Sequence, residues 1–460
     1  MSNSTNEQLK ENKMGTMPIN LLVLNMSIPM MISMLVQAMY NIVDSIFVSR
    51  IHEDALSALN LCFPIQILTI ALATGTGVGV NALVSKSLGE KNTDRANRIA
   101  MNGVFLAFVS YAIFLLVGLF VVKPYFMLQN TDNLQIKQFG IDYLTINCML
   151  SFGVFLQITF ERLLQSTGKT VLSMITQTTG AVINIILDPI LIFGLLGAPA
   201  LGVKGAAVAT VFGQIVAALL AIFFNIAFNK ELTLKIKYLI PDIKIIGQIY
   251  SIGVPSIIMQ AIGSIMNAMM NQILLGFSDT ACAVFGAYYK LQSFFFMPVF
   301  GLNGAVIPII AYNFGAGKRK RLVSSIKIGI MYAEILLIAG LIAFEVFPQQ
   351  LLSIFKASPN MMEMGTVALR IIGIHFPVAA LCIIIGTVFQ ALGHGMYSMW
   401  VSIARQLAVL IPAAYLLSLL GNVNYVWWAF PIAEIASLII SSIFFVMTWK
   451  NTIVKIPDND

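Results

Sequence analysis

Residues 170–196 read TVLSMITQTTGAVINIILDPILIFGLL. A helix needs about 20 mainly apolar residues to cross a bilayer. This stretch is longer than that and carries one ionisable side chain, Asp188. On the same length scale twelve candidate spans follow along the chain: 20–48, 56–85, 99–122, 138–163, 170–196, 203–228, 246–276, 282–312, 324–347, 366–391, 397–420 and 425–449. Several exceed the bilayer's need, so tilt or extension into water is expected. The chain therefore reads as an all-α polytopic membrane protein.

Composition agrees. The 460 residues are 58% hydrophobic and only 10% charged, whereas a soluble domain carries roughly 25% charged residues to clothe a water-facing surface. The net charge of +7 is spread over short breaks between apolar runs, so no nucleic-acid partner is expected and the lipid bilayer is. Cys62, Cys148, Cys282 and Cys382 all fall inside apolar runs at wide spacing, which suits neither a disulfide framework nor a thiolate metal site. The first 18 residues are polar and show no cleavable signal peptide; they read as a loose cytoplasmic tail. Alternate breaks are basic, notably Lys91, Arg95 and Arg98, then Lys230 to Lys244, then Lys318 to Lys327, which puts both termini on the cytoplasmic side.

The chain repeats itself. At a shift of 226, Pro29 falls on Pro255, Asn41 on Asn267, Gln66 on Gln292, Gly75 on Gly301 and Gly89 on Gly315, without a gap. Further on, Gln165–Ser166–Thr167–Gly168 lies opposite Gln390–Ala391–Leu392–Gly393 at a shift of 225. The expected organisation is a tail (1–18), an N-lobe of six spans (19–228), a basic linker (229–245), a C-lobe of six spans (246–450) and a second tail (451–460). Six spans per half makes the repeat parallel, with its pseudo-two-fold axis along the membrane normal.

Ionisable residues inside spans are costly and default to functional hypotheses. Asp188 has context: Asn184 lies one helical turn earlier on the same face, and Pro189 removes the N–H that would satisfy the carbonyl of Ile185. A carboxylate, an amide and a freed carbonyl suit a small hard cation or a proton. Asp44 lies deep in span 1, beyond Pro29, which is placed to kink that helix. Two intramembrane carboxylates that approach each other share a proton or a cation. The shift places Asp44, Asn184 and Asp188 opposite Met270, Val409 and Ala413, so the polar cluster belongs to one half only. Gln37, Asn41, Glu161 and Gln292 are the candidates for lining a substrate cavity. Glu161, Arg162 and Lys169 also fit charges at the cytoplasmic end of span 4, Arg405 and Glu434 fit a structural ion pair, and His375 fits a satisfied core residue. The glycine-rich run from Gly75 to Gly79 lies inside a span and suits close helix packing rather than a phosphate cradle. No enzymatic constellation is visible.

The run from Asn184 through Asp188–Pro189 to Gly194, followed by Gly205–Ala206–Ala207–Val208–Ala209–Thr210, resembles the span 5 to span 6 signature of multidrug and toxic compound extrusion (MATE) transporters. Ile307–Pro308 to Gly317 resembles that family's end of span 8. The resemblance implies a MATE fold of two pseudo-symmetric six-helix bundles. It further implies an antiporter, working as a monomer in a bacterial or archaeal cytoplasmic membrane, that exports cationic or amphipathic drug-like compounds. No cofactor is implied; the coupling ion is H+ or Na+. By the family's pattern the cation site falls on Asp44, Asn184, Asp188 and Thr210, which become metal ligands if the ion is Na+, with hinges at Pro29 and Pro189. The break before Thr210 is a few residues longer than in some relatives. Span 7 has no acid, span 10 has only Glu363 at its mouth, and Gln292 replaces a glutamate common in the family; all three departures favour coupling in the N-lobe. The alternative is a lipid-linked precursor flippase of the same superfamily, which needs a basic cavity; Lys290, Arg370 and Arg405 are its scattered candidates.

Overall fold

In hydrocarbon each backbone N–H and C=O must be satisfied within its own segment, which leaves helices as the local solution for apolar runs of this length. The computed structural model describes residues 11–129 and 133–457, with Asn41, Ser45, Ser49 and Glu53 described by backbone alone. Among the described residues every regular element is helical. Ten helices are long and apolar enough to cross a membrane: Ile19–Val48 (span 1), Asp54–Gly89 (span 2), Thr93–Met127 (span 3), Thr170–Phe193 (span 5), Val203–Phe228 (span 6), Ile243–Leu275 (span 7), Asp279–Gly315 (span 8), Arg319–Val346 (span 9), Gly395–Ser418 (span 11) and Val423–Ile453 (span 12). Spans 4 and 10 are bent pairs, Leu134–Met149 with Phe152–Ser166 at 47° and Pro359–Gly373 with Phe376–Ala391 at 46°. Counting each pair once gives twelve.

The repeat shows in these details. The two bends fall at equivalent places but are made differently. In span 10 Pro377 opens the second helix and supplies no N–H, while in span 4 the Ser151 hydroxyl bonds back to the Cys148 carbonyl at 2.8 Å. His52 caps span 2 and Ser278, its equivalent, caps span 8. Gly168 and Gly393, equivalent at the ends of the bent spans, both take left-handed backbone, with φ of +82° and +86°. Lys91 is forced into the same region (φ +57°) where its equivalent is Gly317 (φ +69°). The turn geometry is therefore common to both halves, and only one half has the residue suited to it.

The lobes meet through glycine. A Cβ on Gly89 would lie 2.1 Å from the carbonyl oxygen of Tyr312, and one on Gly315 would lie 2.1 Å from that of Lys86, residues related by the same shift. Likewise a Cβ on Gly75 would lie 2.4 Å from Ile257, and one on Gly301 would lie 2.7 Å from the backbone of its counterpart, Met31. Gly79 presses on the carbonyl of Ile249. Span 2 thus packs on span 7, span 8 on span 1, and spans 2 and 8 cross beside the basic loops. Close packing is the role read for the Gly75–Gly79 run.

The same end is laced by residues 11–17, expected to be loose. Met14 is fully buried, in the short helix Lys13–Thr16. On the N-lobe side Asn12 Nδ2 donates to the Thr167 carbonyl (3.1 Å) and to Glu231 Oε1 (3.0 Å), and Lys169 pairs with Glu231. On the C-lobe side the carbonyls of Met14, Gly15 and Met17 accept from Asn313, Lys318 and Arg321. The segment is ordered because its backbone carbonyls find donors in both lobes.

Gly89→Ala should lower the thermal unfolding temperature of the detergent-purified protein, with the overpacking costing about 1–3 kcal/mol. Gly247→Ala, where nothing lies within 4 Å, should leave it unchanged. Equal behaviour of the two variants would show that the lobes do not depend on this crossing.

Candidate functional site

Span 5 runs unbroken through Pro189 and stops at Gly194, whose left-handed backbone (φ +73°) has no room for a side chain against Ala200. Span 6 then returns along it in close contact. A Cβ on Gly205 would lie 2.4 Å from the Leu191 carbonyl oxygen, and one on Gly213 would lie 2.7 Å from that of Gly180. This approach sets Thr210 opposite Asn184, whose Nδ2 donates to Thr210 Oγ1 at 3.2 Å and, one turn along, to Asp188 Oδ1 at 3.4 Å. Asp188 is wholly buried. Span 1, unbroken through Pro29, brings Asp44 to within hydrogen-bonding reach of Asp188, with Tyr40 beside both carboxyls.

Three buried oxygens in this cluster, Asp44 Oδ1, Asn184 Oδ1 and Asp188 Oδ2, have no hydrogen-bond donor. Leaving such acceptors unmet is costly. Two carboxyls, an amide oxygen and a hydroxyl form a hard-oxygen set that fits either a small monovalent cation or a proton shared between the acids. All four residues expected at the cation site are therefore together in space, Thr210 included.

Beside the cluster lies a cavity of about 120 Å³, walled by spans 1, 2, 4, 5 and 6. Asn184 and Thr210 belong to both its wall and the acid cluster. Its apolar side is Met30, Met34, Ile70, Val154 and Ile158, and its polar side is dominated by amides from Gln37, Gln157, Gln165, Gln177 and Gln214. Gln177 Nε2 donates to Gln37 Oε1 at 2.8 Å, tying span 5 to span 1. Glu161 is buried, its Oε1 accepting from Gln157 Nε2 (3.0 Å) and Thr176 Oγ1 (3.1 Å).

Gln37 and Glu161 line this cavity as expected. The Asn41 side chain lies outside the described residues. Gln292 does not line it, because span 8 carries that residue in the other lobe. Glu161 and Arg162 are not interface charges: both line the cavity, while Lys169 is engaged by Glu231. Lys290 and Arg370 are exposed, Arg370 with Glu345 alongside, and Arg405 bonds Glu434 at 3.3 Å. His375 is buried among Phe296, Phe376 and Phe430. Tyr40, Arg162 and four of the glutamines escaped the sequence reading. Their signal was Gln157, Glu161 and Gln165 at four-residue spacing on one face of an otherwise apolar helix.

The MatE family profile matches residues 29–190 and again 255–416, two copies at the shift already seen. The chain belongs to the MatE family. Members of this family are membrane transporters, not enzymes, and this multi-pass chain is one of them. It is 27% identical over 419 residues to a protein of Shewanella oneidensis named FAD transporter, covering 91% of this chain and 92% of that one. It is 26% identical over 438 residues to the multidrug export protein MepA of Staphylococcus haemolyticus, covering 93% of each. The fold superposes on an outward-facing multidrug resistance MATE family transporter with a TM-score of 0.90 at 23% identity, over 96% of this chain and 98% of that one.

Glu161→Ala strands the Gln157 amide, while the Thr176 hydroxyl keeps the Ser173 carbonyl at 2.7 Å, and should cost about 1–3 kcal/mol. Glu161→Gln keeps a carbonyl acceptor and should cost much less. Thermal unfolding of the two variants side by side checks this; equal losses would mean that the charge, not the acceptor, holds spans 4 and 5.

Proposed function

We propose that the chain is a secondary antiporter that exports amphipathic drug-like compounds, cationic ones included, in exchange for H+ or Na+. The observation that carries this is the sharing of Asn184 and Thr210 between the amide-lined cavity and a cluster of buried oxygens that lack donors. A concave site with an apolar wall and a few convergent polar groups suits small amphipathic ligands. MepA's name points the same way.

In this reading the basic loops face the cytoplasm along with both termini, in the cytoplasmic membrane, and the glycine crossing beside them closes the inward path, so the conformation is outward-facing. The N-lobe (19–228) does the coupling, and the C-lobe (246–450) serves as the body it rocks against. A cation entering from outside binds between Asp44 and Asp188 and neutralises them. Asn184 turns its amide oxygen toward it, and span 1 shifts about Pro29. The wall shared with the cavity moves, drug affinity falls, and drug leaves outward. Because the two acids approach each other, their titration belongs to the pair, and one bound cation suffices to relieve both. The flippase reading is weaker, because Lys290, Arg370 and Arg405 all lie away from the cavity wall, which holds a single cation, Arg162, among the described residues.

The test is efflux of a fluorescent cationic dye from protein in liposomes, with a proton gradient and a sodium gradient imposed separately. Transport should follow one gradient and be lost in Asp188→Asn. Full transport in Asp44→Asn and Asp188→Asn proteins would remove the coupling site, and none under either gradient from folded wild-type protein would shift the weight to the flippase.

A further inference from the structure

Arg162 is the one cavity-lining cation among the described residues. Its stem passes between the lobes through space left by Gly77, where a Cβ would lie 2.8 Å from Arg162 Cγ; its Nη1 reaches toward Gly304 of span 8. The guanidinium makes a single hydrogen bond, Nη1 to Gln165 Oε1 at 2.8 Å, and no ion pair. Glu161 acts on it through space but makes no direct ion pair with it. Neighbours in sequence on a helix do not face each other, and Glu161 is turned toward Thr176 and Gln157, which satisfy it with neutral donors. Arginine stays charged at any accessible pH. The cavity thus holds a permanent cation with most of its five N–H donors uncommitted, fixed at the seam of the two lobes.

We propose that Arg162 is a specificity-determining residue that receives an anionic group of the transported compound, a carboxylate or phosphate, so that zwitterionic or anionic amphiphiles are preferred over plain lipophilic cations. This rests on the cavity being where transported compounds bind. The planar guanidinium offers paired N–H groups matched to such an anion. The apolar wall of Met30, Met34 and Ile158 takes the aromatic body, and the glutamine amides take its polar edge. A plain cation in the same place gains no such contact.

The test uses two dyes with one fluorophore: rhodamine B, a zwitterion at neutral pH, and its ethyl ester, a plain cation. Binding to purified protein in nanodiscs is read by fluorescence anisotropy at constant pH and salt. Wild type should bind the acid about tenfold more tightly than the ester, the size of effect one charge-assisted hydrogen bond supplies. Arg162→Met should erase that preference by weakening the acid while the ester binds as well or better, which also shows the variant is folded. Arg162→Lys should restore part of it. Equal binding of both dyes by wild type, or a preference untouched in Arg162→Met, overturns the assignment alone. Binding of neither dye by folded wild-type protein overturns it together with the drug-cavity reading.

Discussion

Where Gly89 meets the Tyr312 carbonyl and Gly315 meets that of Lys86, two helix backbones cross with no side chain between them. In a membrane, apolar side chains gain nothing by leaving lipid for one another, so helices associate where close backbone approach adds dispersion contacts. That crossing, repeated at Gly75 and Gly301, holds the two lobes together at one end. Residues 11–17 then bridge the lobes at the pinned end, where carbonyls of a short buried segment meet donors from both halves.

Symmetry explains the frame and asymmetry explains the chemistry. The bends of spans 4 and 10 agree within a degree although one is made by serine and the other by proline. The architecture is therefore shared by both halves and is tolerant of the residue that achieves it. The polar cluster is not shared. Opposite Asp44, Asn184 and Asp188 stand Met270, Val409 and Ala413, and span 11 passes that place in a wide π-helical stretch, Ala404–Leu410. The C-lobe's buried acid, Glu434, is bonded to Arg405 instead. One half gathers donor-poor oxygens of two acids and an amide, whereas the other holds an internal ion pair in which Glu434 Oε1 alone lacks a donor.

Most of the frame was legible in the residues. Long apolar runs, short basic breaks and the gapless shift lead to twelve spans in two sixes, and an amide one turn before an acid leads to Asn184 and Asp188. The break inside span 4 was not legible, because the apolar run 138–163 continues smoothly across it, and that inside span 10 was marked only by Pro377 within the apolar run 366–391. Thr210 was reachable only through resemblance: nothing in its own neighbourhood marks it, and the glycines at 205 and 213 that bring it to Asn184 act through contact with span 5. Arg162 was misplaced for a similar reason. A charge near the end of an apolar run fits an interface, and the space at Gly77 that lets it run inward instead lies on another span.

That misplacement bears on what the cavity does. Charges that compensate each other, like Arg405 with Glu434, stabilise a lobe and offer little to a ligand. Glu161 and Arg162 are adjacent in sequence yet uncoupled by any direct bond, one satisfied by neutral donors and the other mostly unsatisfied. An arrangement that denies two neighbouring charges a direct ion pair gives up the strongest part of their attraction. Such separation persists most simply where the free charge meets a counter-charge for part of the cycle. A transported anionic group supplies one, and it does so at the seam where the lobes must part. In the proposed cycle the acid cluster behind Asn184 meets the coupling cation from the far side of the same wall. Ligand and cation then act on one movable surface from opposite faces, which is the least that coupling requires: each must favour a different arrangement of the same residues.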